Sequence, residues 1–209
     1  MGERYHGIVS AITSEAALRA LHASPTDRAV RKELDRLDTH CRRFIALSPF
    51  LVLASADAEG RMDATPRGGE PGFVVVEDDH TLLLPDRPGN NRLDSLTNLT
   101  QRPEVGLLFM VPGVDETLRV NGTAELRTDP ELVQRFQVSR RPPALILRIT
   151  VREAYLHCAK ALMRSRLWDP EARIDRSQLP TMGEMMRDQV GSAAESQEAM
   201  VARYRTQLY

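Results

Sequence analysis

The stretch Thr81–Gly113, TLLLPDRPGNNRLDSLTNLTQRPEVGLLFMVPG, has an apolar run at each end and a polar middle. TLLLP has the length and composition of a short buried strand, which Pro88 ends. Three leucines then recur on one helical face: Leu93, Leu96 and Leu99. Pro103 ends this helical pattern, and VGLLFMV (Val105–Val111) returns to strand character. The stretch therefore predicts a strand, a helix and a second strand.

Short apolar or alternating segments continue on both sides of this unit. They are Phe50–Asp57, Arg61–Arg67, Gly72–Asp78, Thr117–Arg127 and Leu145–Leu156. Most of them are separated by short turns, with one helix in the middle of the series. This pattern favours a closed antiparallel sheet over roughly residues 50–156.

Helical patterns surround the predicted sheet. They cover the first 47 residues, the short segments Pro130–Val138 and His157–Trp168, and a tail from Thr181 onward. We divide the chain accordingly into an N-terminal helical segment (1–47), a sheet domain (48–168) and a C-terminal helical tail (169–209). The tail is expected to pack on the sheet domain or on a partner subunit.

Composition narrows the class of protein. The net charge of −1 gives no electrostatic attraction to nucleic acid or to anionic membranes. The sequence has only two cysteines, Cys41 and Cys158, which are too few to form a disulfide framework. This cysteine content fits a reducing compartment. The N-terminus lacks the apolar run of a secretory signal, and no run is long enough to span a bilayer. We therefore expect a cytoplasmic location.

The element Gly89–Arg92 lies between the predicted strand and the predicted helix. A helix N-terminus presents unpaired N–H groups and a partial positive charge, so it attracts phosphate. Asn90 or Asn91 can cap the helix; if Asn91 is the N-cap, Asp94 follows at a spacing close to a capping box, and Arg92 falls in the first turn. An anion would relieve the conflict between Arg92 and the helix dipole. The alternative is an ordinary capped helix with a solvated arginine.

The segment RMDATPR (Arg61–Arg67) is a second basic element. Thr65 and Arg67 stand two residues apart, so they project from one face of a strand and could clamp a phosphate or ribityl chain. Surface arginines on an edge strand are the alternative, which Pro66 supports because proline cannot donate to a sheet ladder.

A third basic element is Lys160, Arg164 and Trp168, spaced by four along a predicted helix. Such a row could place positive charge beside a flavin ring and cover it with an indole. An exposed basic face with one buried aromatic residue is the alternative.

Together these segments resemble the pyridoxamine 5′-phosphate oxidase-like, FMN-binding split-barrel family. The family phrase N-x-x-x-x-P-x-V-x-L-x-F corresponds to Asn98–Phe109, and V-x-G-x-A-E corresponds to Val120–Glu125. The resemblance implies a mainly β protein with helices (α+β), built on a six-stranded antiparallel split β-barrel. It also implies FMN as cofactor and a homodimer with FMN at the subunit interface.

The resemblance also suggests which residues contact the cofactor. Carried over by position, they are Arg61, Asp63, Ala64, Thr65, Arg67, Leu84, Pro85, Asn91, Arg92, Thr117 and Arg119. Lys160, Arg164 and Trp168 are also assigned to the cofactor, although their spacing matches the family pattern less well. No catalytic residue and no metal ligand is assigned.

The expected function is FMN-dependent oxidation or reduction of a small molecule. Vitamin B6 oxidation is not expected, because the C-terminal Arg-x-His-type motif is missing and Asn91 stands where the oxidases have a basic residue. The alternatives are a non-catalytic flavin-binding or sensing protein, a haem protein with His157 as axial ligand, and a relative that binds a deazaflavin.

Overall fold

The structure, a computed structural model, describes residues 11–138, 142–193 and 195–208, and the chain separates into two compact units between Glu33 and Leu34. The first unit contains α1 (Glu15–Ala20) and α2 (Asp27–Arg31). Neither helix contains a buried residue. The prediction of helix for the first ten residues lies outside the described residues.

The second unit is built on one antiparallel sheet. Its strands are β1 (Phe50–Ala56), β2 (Met62–Gly68), β3 (Val75–Asp78), β4 (Thr81–Pro85), β5 (Glu104–Met110), β6 (Thr117–Arg127) and β7 (Ile146–His157). They lie in the order β2-β1-β5-β6-β7-β4-β3, so β2 and β3 are the edge strands. The predicted fold class is confirmed, with seven strands in the sheet where six were expected.

Six helices lie among the described residues of the second unit. They are α3 (Thr39–Leu47), α4 (Asp94–Gln101), α5 (Pro130–Gln134), α6 (Lys160–Ser165), α7 (Met182–Val190) and α8 (Gln197–Arg205), with 3₁₀ turns at Pro170–Ala172 and Arg176–Gln178. α6 is shorter than predicted because β7 continues to His157, which pairs with Thr117 of β6. No described helix is both long and apolar enough to cross a membrane.

Among the described residues, the larger of two hydrophobic clusters lies on one face of the sheet, and a smaller one is formed by Leu83, Ile146 and Phe136. Alternate residues of β1, β5 and β6 are buried in the larger one: Leu51, Leu53, Leu107, Phe109, Leu118 and Val120. α3 covers this face with Cys41 and Ile45, and α4 covers it with Leu96 and Leu99. Burial raises the pKa of the Cys41 thiol to about 11, so this cysteine is a packing residue at neutral pH.

Gly122 occupies a position in β6 that has no room for a side chain. The pairing of β6 with β7 shifts register between Asn121 and Gly122, and a Cβ on Gly122 would overlap the carbonyl oxygen of Thr150. The glycine of the V-x-G-x-A-E pattern is therefore required by a β-bulge and close backbone approach.

We expect Gly122→Ala to lower the free energy of unfolding by about 1–3 kcal/mol, because backbone cannot yield as a side chain can. Gly106→Ala is the matched control, since its Cβ would meet the end of the Asn121 side chain at 3.2 Å and the Cβ of Ala54 at 3.8 Å, and no backbone atom at less than 4 Å. Urea unfolding of both variants measures the difference. A Gly122 variant no less stable than the Gly106 variant would contradict this role.

Candidate functional site

A cleft of about 360 Å³ opens between β2, the loop 86–93 after β4, and the first turn of α4. Its lining is polar and includes three arginines and three aspartates. These are Arg67, Arg87, Arg92, Asp63, Asp86 and Asp94. Two segments singled out by the sequence, Gly89–Arg92 and the strand that carries Thr65, thus meet in one place.

The helix after the loop begins later than predicted. α4 starts at Asp94 with Leu93 at the N-cap, so the prediction that Asn91 caps the helix in a capping box is wrong. Asn91 and Leu93 both have left-handed backbone, with φ of 57° and 61°. Asparagine tolerates this conformation, whereas leucine rarely adopts it.

Leu93 does not join the buried stripe of α4, because it precedes the helical turns that set the stripe. Its exposed fraction is 54%, whereas Leu96 is 8% exposed and Leu99 is 5% exposed. The buried face of the helix is completed by two polar residues, Ser95 and Asn98. Since the leucine at the N-cap has no side-chain acceptor, the first N–H groups of α4 are not capped by it.

Arg92 is turned toward solvent. Its Nε lies 2.8 Å from Oδ2 of Asp94, and its backbone N–H donates to the side chain of Asn90 at 3.1 Å. Because Arg92 precedes the helix, the expected conflict with the helix dipole does not arise. The Asp94 carboxylate also raises the pKa of the Arg92 guanidinium.

Thr65 and Arg67 project from one side of the edge strand β2, as predicted. Arg67 donates from Nη1 to Oγ1 of Thr65 at 3.2 Å and to the carbonyl oxygen of Pro66 at 3.3 Å. Its Nε is buried and has no hydrogen-bond partner in the part of the chain that the structure describes. A buried N–H of a permanently charged group is costly when left unpaired, so this atom is suited to receive an anion.

Two side-chain hydrogen bonds fasten α4 to the sheet beside the cleft. Ser95 donates its hydroxyl to the carboxylate of Asp63 on β2, and Asn98 donates to the hydroxyl of Ser55 on β1 at 3.1 Å. Asp63 was assigned to the cofactor from the family pattern. In the structure its visible role is to position the helix start.

Asp86 was not singled out by the sequence. It follows β4 directly, and its backbone N–H donates to the carbonyl oxygen of Leu145 at 3.0 Å. Burial raises the pKa of its carboxyl above the usual range, while the Arg67 guanidinium opposes that shift. Only its position immediately after a buried strand could have drawn attention to it.

The profile of the family described as pyridoxamine 5′-phosphate oxidase matches residues 37–158. This match spans more than half of the chain and includes every strand and α4. The chain belongs to the pyridoxamine 5′-phosphate oxidase family. Membership supports a flavin-binding, oxidoreductase-like function. No curated protein matches the chain.

Solved structures resemble it more distantly. HupZ of Group A Streptococcus is 18% identical and aligns over 57% of this chain and 92% of its own, with a TM-score of 0.47. An FMN-binding protein from Syntrophomonas wolfei is 12% identical over 56% of this chain and 83% of its own, with a TM-score of 0.45. General stress protein 26 from Bacillus anthracis is 15% identical over 56% of this chain and 94% of its own, with a TM-score of 0.41.

Several residues assigned from the family pattern lie outside the lining of the cleft in this member of the pyridoxamine 5′-phosphate oxidase family. Arg61 is exposed and pairs with Asp57 at 2.6 Å. Ala64 points to the opposite side of β2 from Thr65. Leu84 and Pro85 are buried, so only their backbone could reach a ligand.

Thr117 and Arg119 stand on β6, away from the cleft lining. Thr117 is buried. The Arg119 guanidinium lies over the ring of Tyr155, 4.4 Å from its centroid, and reaches Glu153 at 3.4 Å. Its buried Nε has no hydrogen-bond partner among the described residues.

The prediction that Lys160, Arg164 and Trp168 lie along one helix is wrong for Trp168. α6 ends at Ser165 and the next residue, Arg166, has a left-handed φ of 51°, so the chain turns before Trp168. The indole N–H donates instead to the carbonyl oxygen of Val114 at 2.9 Å. Lys160 and Arg164 remain together on one short exposed helix.

We expect Ser95→Ala to lower the free energy of unfolding by about 1–3 kcal/mol, because Asp63 would lose the hydroxyl that it accepts from. Thr97→Ala on the exposed side of α4 is the control and should change stability by less than about 0.5 kcal/mol. Chemical unfolding measures both. Equal effects of the two substitutions would show that the Ser95 bond contributes nothing.

Proposed function

We propose that this protein binds FMN, with the phosphate in the cleft beside Arg67, and acts as an FMN-dependent oxidoreductase on a small molecule. The observation that carries the proposal is the buried, unpaired Nε of Arg67 in a cleft at the start of a helix. Cys41 and Cys158 are both free thiols, which supports residence in the reducing cytoplasm.

Three kinds of donor converge on the phosphate position. Arg67 supplies Nε, and Thr65 can donate its hydroxyl proton while accepting from Arg67. The first turn of α4 supplies backbone N–H groups and the positive end of the helix dipole. Charge-assisted bonds of this kind are the strong ones in phosphate recognition.

Two of the three carboxylates in the cleft are already engaged, which reduces their repulsion of a phosphate. Asp94 is paired with Arg92, and Asp63 accepts from Ser95. Arg87 is held by the carbonyl oxygen of Phe136, to which it donates at 2.9 Å. The donor set therefore fits a phosphate group.

The flavin, when bound, supplies the hydride or electron transfer. The residues of this chain hold its phosphate and orient it. In this proposal Lys160 or Arg164 places positive charge near the flavin ring, with the exposed helix α6 facing the site of a second subunit.

We also propose a homodimer with the cofactor at its interface. The sheet face opposite the core, here called the outer face, carries Phe50, Val52, Leu108 and Met110 on β1 and β5. Arg119 and Tyr155 extend the row of Val52 and Leu108 across β6 and β7. A continuous face of this kind is a surface on which a second copy could pack.

The cofactor is tested first by the visible absorption spectrum of the purified protein and by chromatography of what heat releases. FMN near one equivalent per chain is expected. A colourless protein that takes up no added FMN would contradict the proposal, whereas a haem or deazaflavin spectrum would favour one of the alternatives.

We expect Arg67→Ala to weaken FMN binding by about 1.5–3 kcal/mol, roughly 10- to 150-fold, through loss of a charge-assisted contact. Arg67→Lys keeps the charge without the Nε donor, so its affinity for FMN should lie between those of the parent protein and Arg67→Ala. Arg61→Ala is the control, because Arg61 is exposed and pairs with Asp57. Fluorescence titration with FMN measures all four proteins, and equal affinities would remove Arg67 from the site.

The dimer is tested by Leu108→Glu, which places a charge on the outer face. We expect sedimentation or light scattering to give twice the chain mass for the parent protein and one chain mass for this variant. Val190→Glu is the control, since Val190 is 64% exposed at the end of α7. A parent protein that sediments as a monomer at micromolar concentration would contradict the dimer.

A further inference from the structure

Asp86 is the one carboxylate of the cleft that has no partner among the described residues. Asp94 forms an ion pair and Asp63 accepts a hydrogen bond, whereas no hydrogen bond or ion pair within the described part of the chain reaches the Asp86 carboxylate. It nevertheless lies in the same cleft as Arg67, which has a free buried N–H. The cleft thus contains one carboxylate that accepts no hydrogen bond and one guanidinium N–H that has no acceptor, both among the described residues.

The carboxyl of Asp86 is partly buried where it meets the cleft. Its backbone N–H donates to the carbonyl oxygen of Leu145, which fixes the main chain of Asp86 at the end of β4. Burial raises the pKa of this carboxyl in the protein without ligand, and Arg67 is the charged group that opposes the rise. Burial therefore favours the protonated form of this carboxyl more than it would for an exposed aspartate.

A phosphate held by Arg67 would bring a second acid against this carboxyl. Two acids that share one site do not both ionise fully, because the second negative charge is repelled by the first. We propose that Asp86 shares one proton with the bound cofactor phosphate, so that binding takes up a proton from solvent. This inference rests on the proposed function, since it needs the phosphate in this cleft.

The shared proton can be bound to Asp86 or to the phosphate, and the two forms have the same number of protons and the same total charge. A neutral Asp86 donates its O–H to a phosphate oxygen, or a singly protonated phosphate donates to the Asp86 carboxylate. In both forms one proton is gained and one hydrogen bond joins the two groups. Arg67 compensates the negative charge that remains.

Arg67 on β2 is the charged group whose guanidinium acts on the Asp86 carboxyl. Arg87 and Arg92 also line the cleft from the loop, where Arg87 donates to the carbonyl oxygen of Phe136 and Arg92 pairs with Asp94; all three guanidinium groups stay protonated. Asp63 on β2 and Asp94 on α4 are the remaining acids of the cleft, and both have partners.

The sign of the pH dependence follows from proton uptake. The bound phosphate raises the pKa of the Asp86 carboxyl further, so the proton is gained between the pKa of the free protein and that of the complex. Where the charge of the free phosphate stays constant, affinity falls as pH rises through this window. The fall reaches about tenfold per pH unit where one full proton is taken up.

Calorimetric titration of the full-length protein with FMN tests the proposal at one pH in buffers of different ionisation enthalpy. The dependence of the apparent enthalpy on the buffer gives the number of protons bound. We expect net proton uptake on FMN binding for the parent protein and a smaller uptake for Asp86→Asn. Asp188→Asn, an exposed carboxylate on α7, should retain the parent uptake.

FMN binding without proton uptake, or with equal uptake in Asp86→Asn, would overturn this inference alone. Failure of FMN to bind at any pH would overturn the proposed function and this inference with it. Circular dichroism confirms that each variant folds, and the uptake of the parent protein decides the question should Asp86→Asn be unfolded.

Discussion

Burial of Leu96 and Leu99 against the sheet is the constraint on which the candidate site depends. These two side chains hold α4 over the core, and the bonds from Ser95 to Asp63 and from Asn98 to Ser55 set its position along β2 and β1. The start of α4 is thereby placed beside Thr65 and Arg67 on the edge strand. Without this docking, the start of α4 would not be held in a fixed position relative to Thr65 and Arg67 on β2.

The same docking explains how the loop can contain an unfavourable backbone. A left-handed leucine costs about 1–2 kcal/mol, and Leu93 has this conformation without a side chain that could cap the helix. Burial of two leucines contributes about 1.5–3 kcal/mol each, which exceeds that cost. The left-handed residue bends the chain abruptly into α4, so the first N–H groups of the helix line the cleft.

The sequence predicts the sheet well because β1 and β5 are short apolar runs bounded by turn and breaker residues, a local signature of buried strands. It predicts poorly where the outcome depends on distant contacts. Leu93 matches the leucine spacing but lies before the helix, and Trp168 matches a helical row that ends at Ser165. Likewise, the unpaired Nε of Arg67 and the burial of Asp86 arise only when β2 and the loop after β4 meet.

The ratio of the dissociation constants of riboflavin and FMN, measured by fluorescence titration, tests most directly whether the cleft is a phosphate site. The two ligands differ only in the phosphate group. Two charge-assisted contacts of roughly 1.5 kcal/mol each predict that FMN binds about 100-fold more tightly or better. Equal affinity for riboflavin and FMN would show that the phosphate is not held by Arg67 and the start of α4.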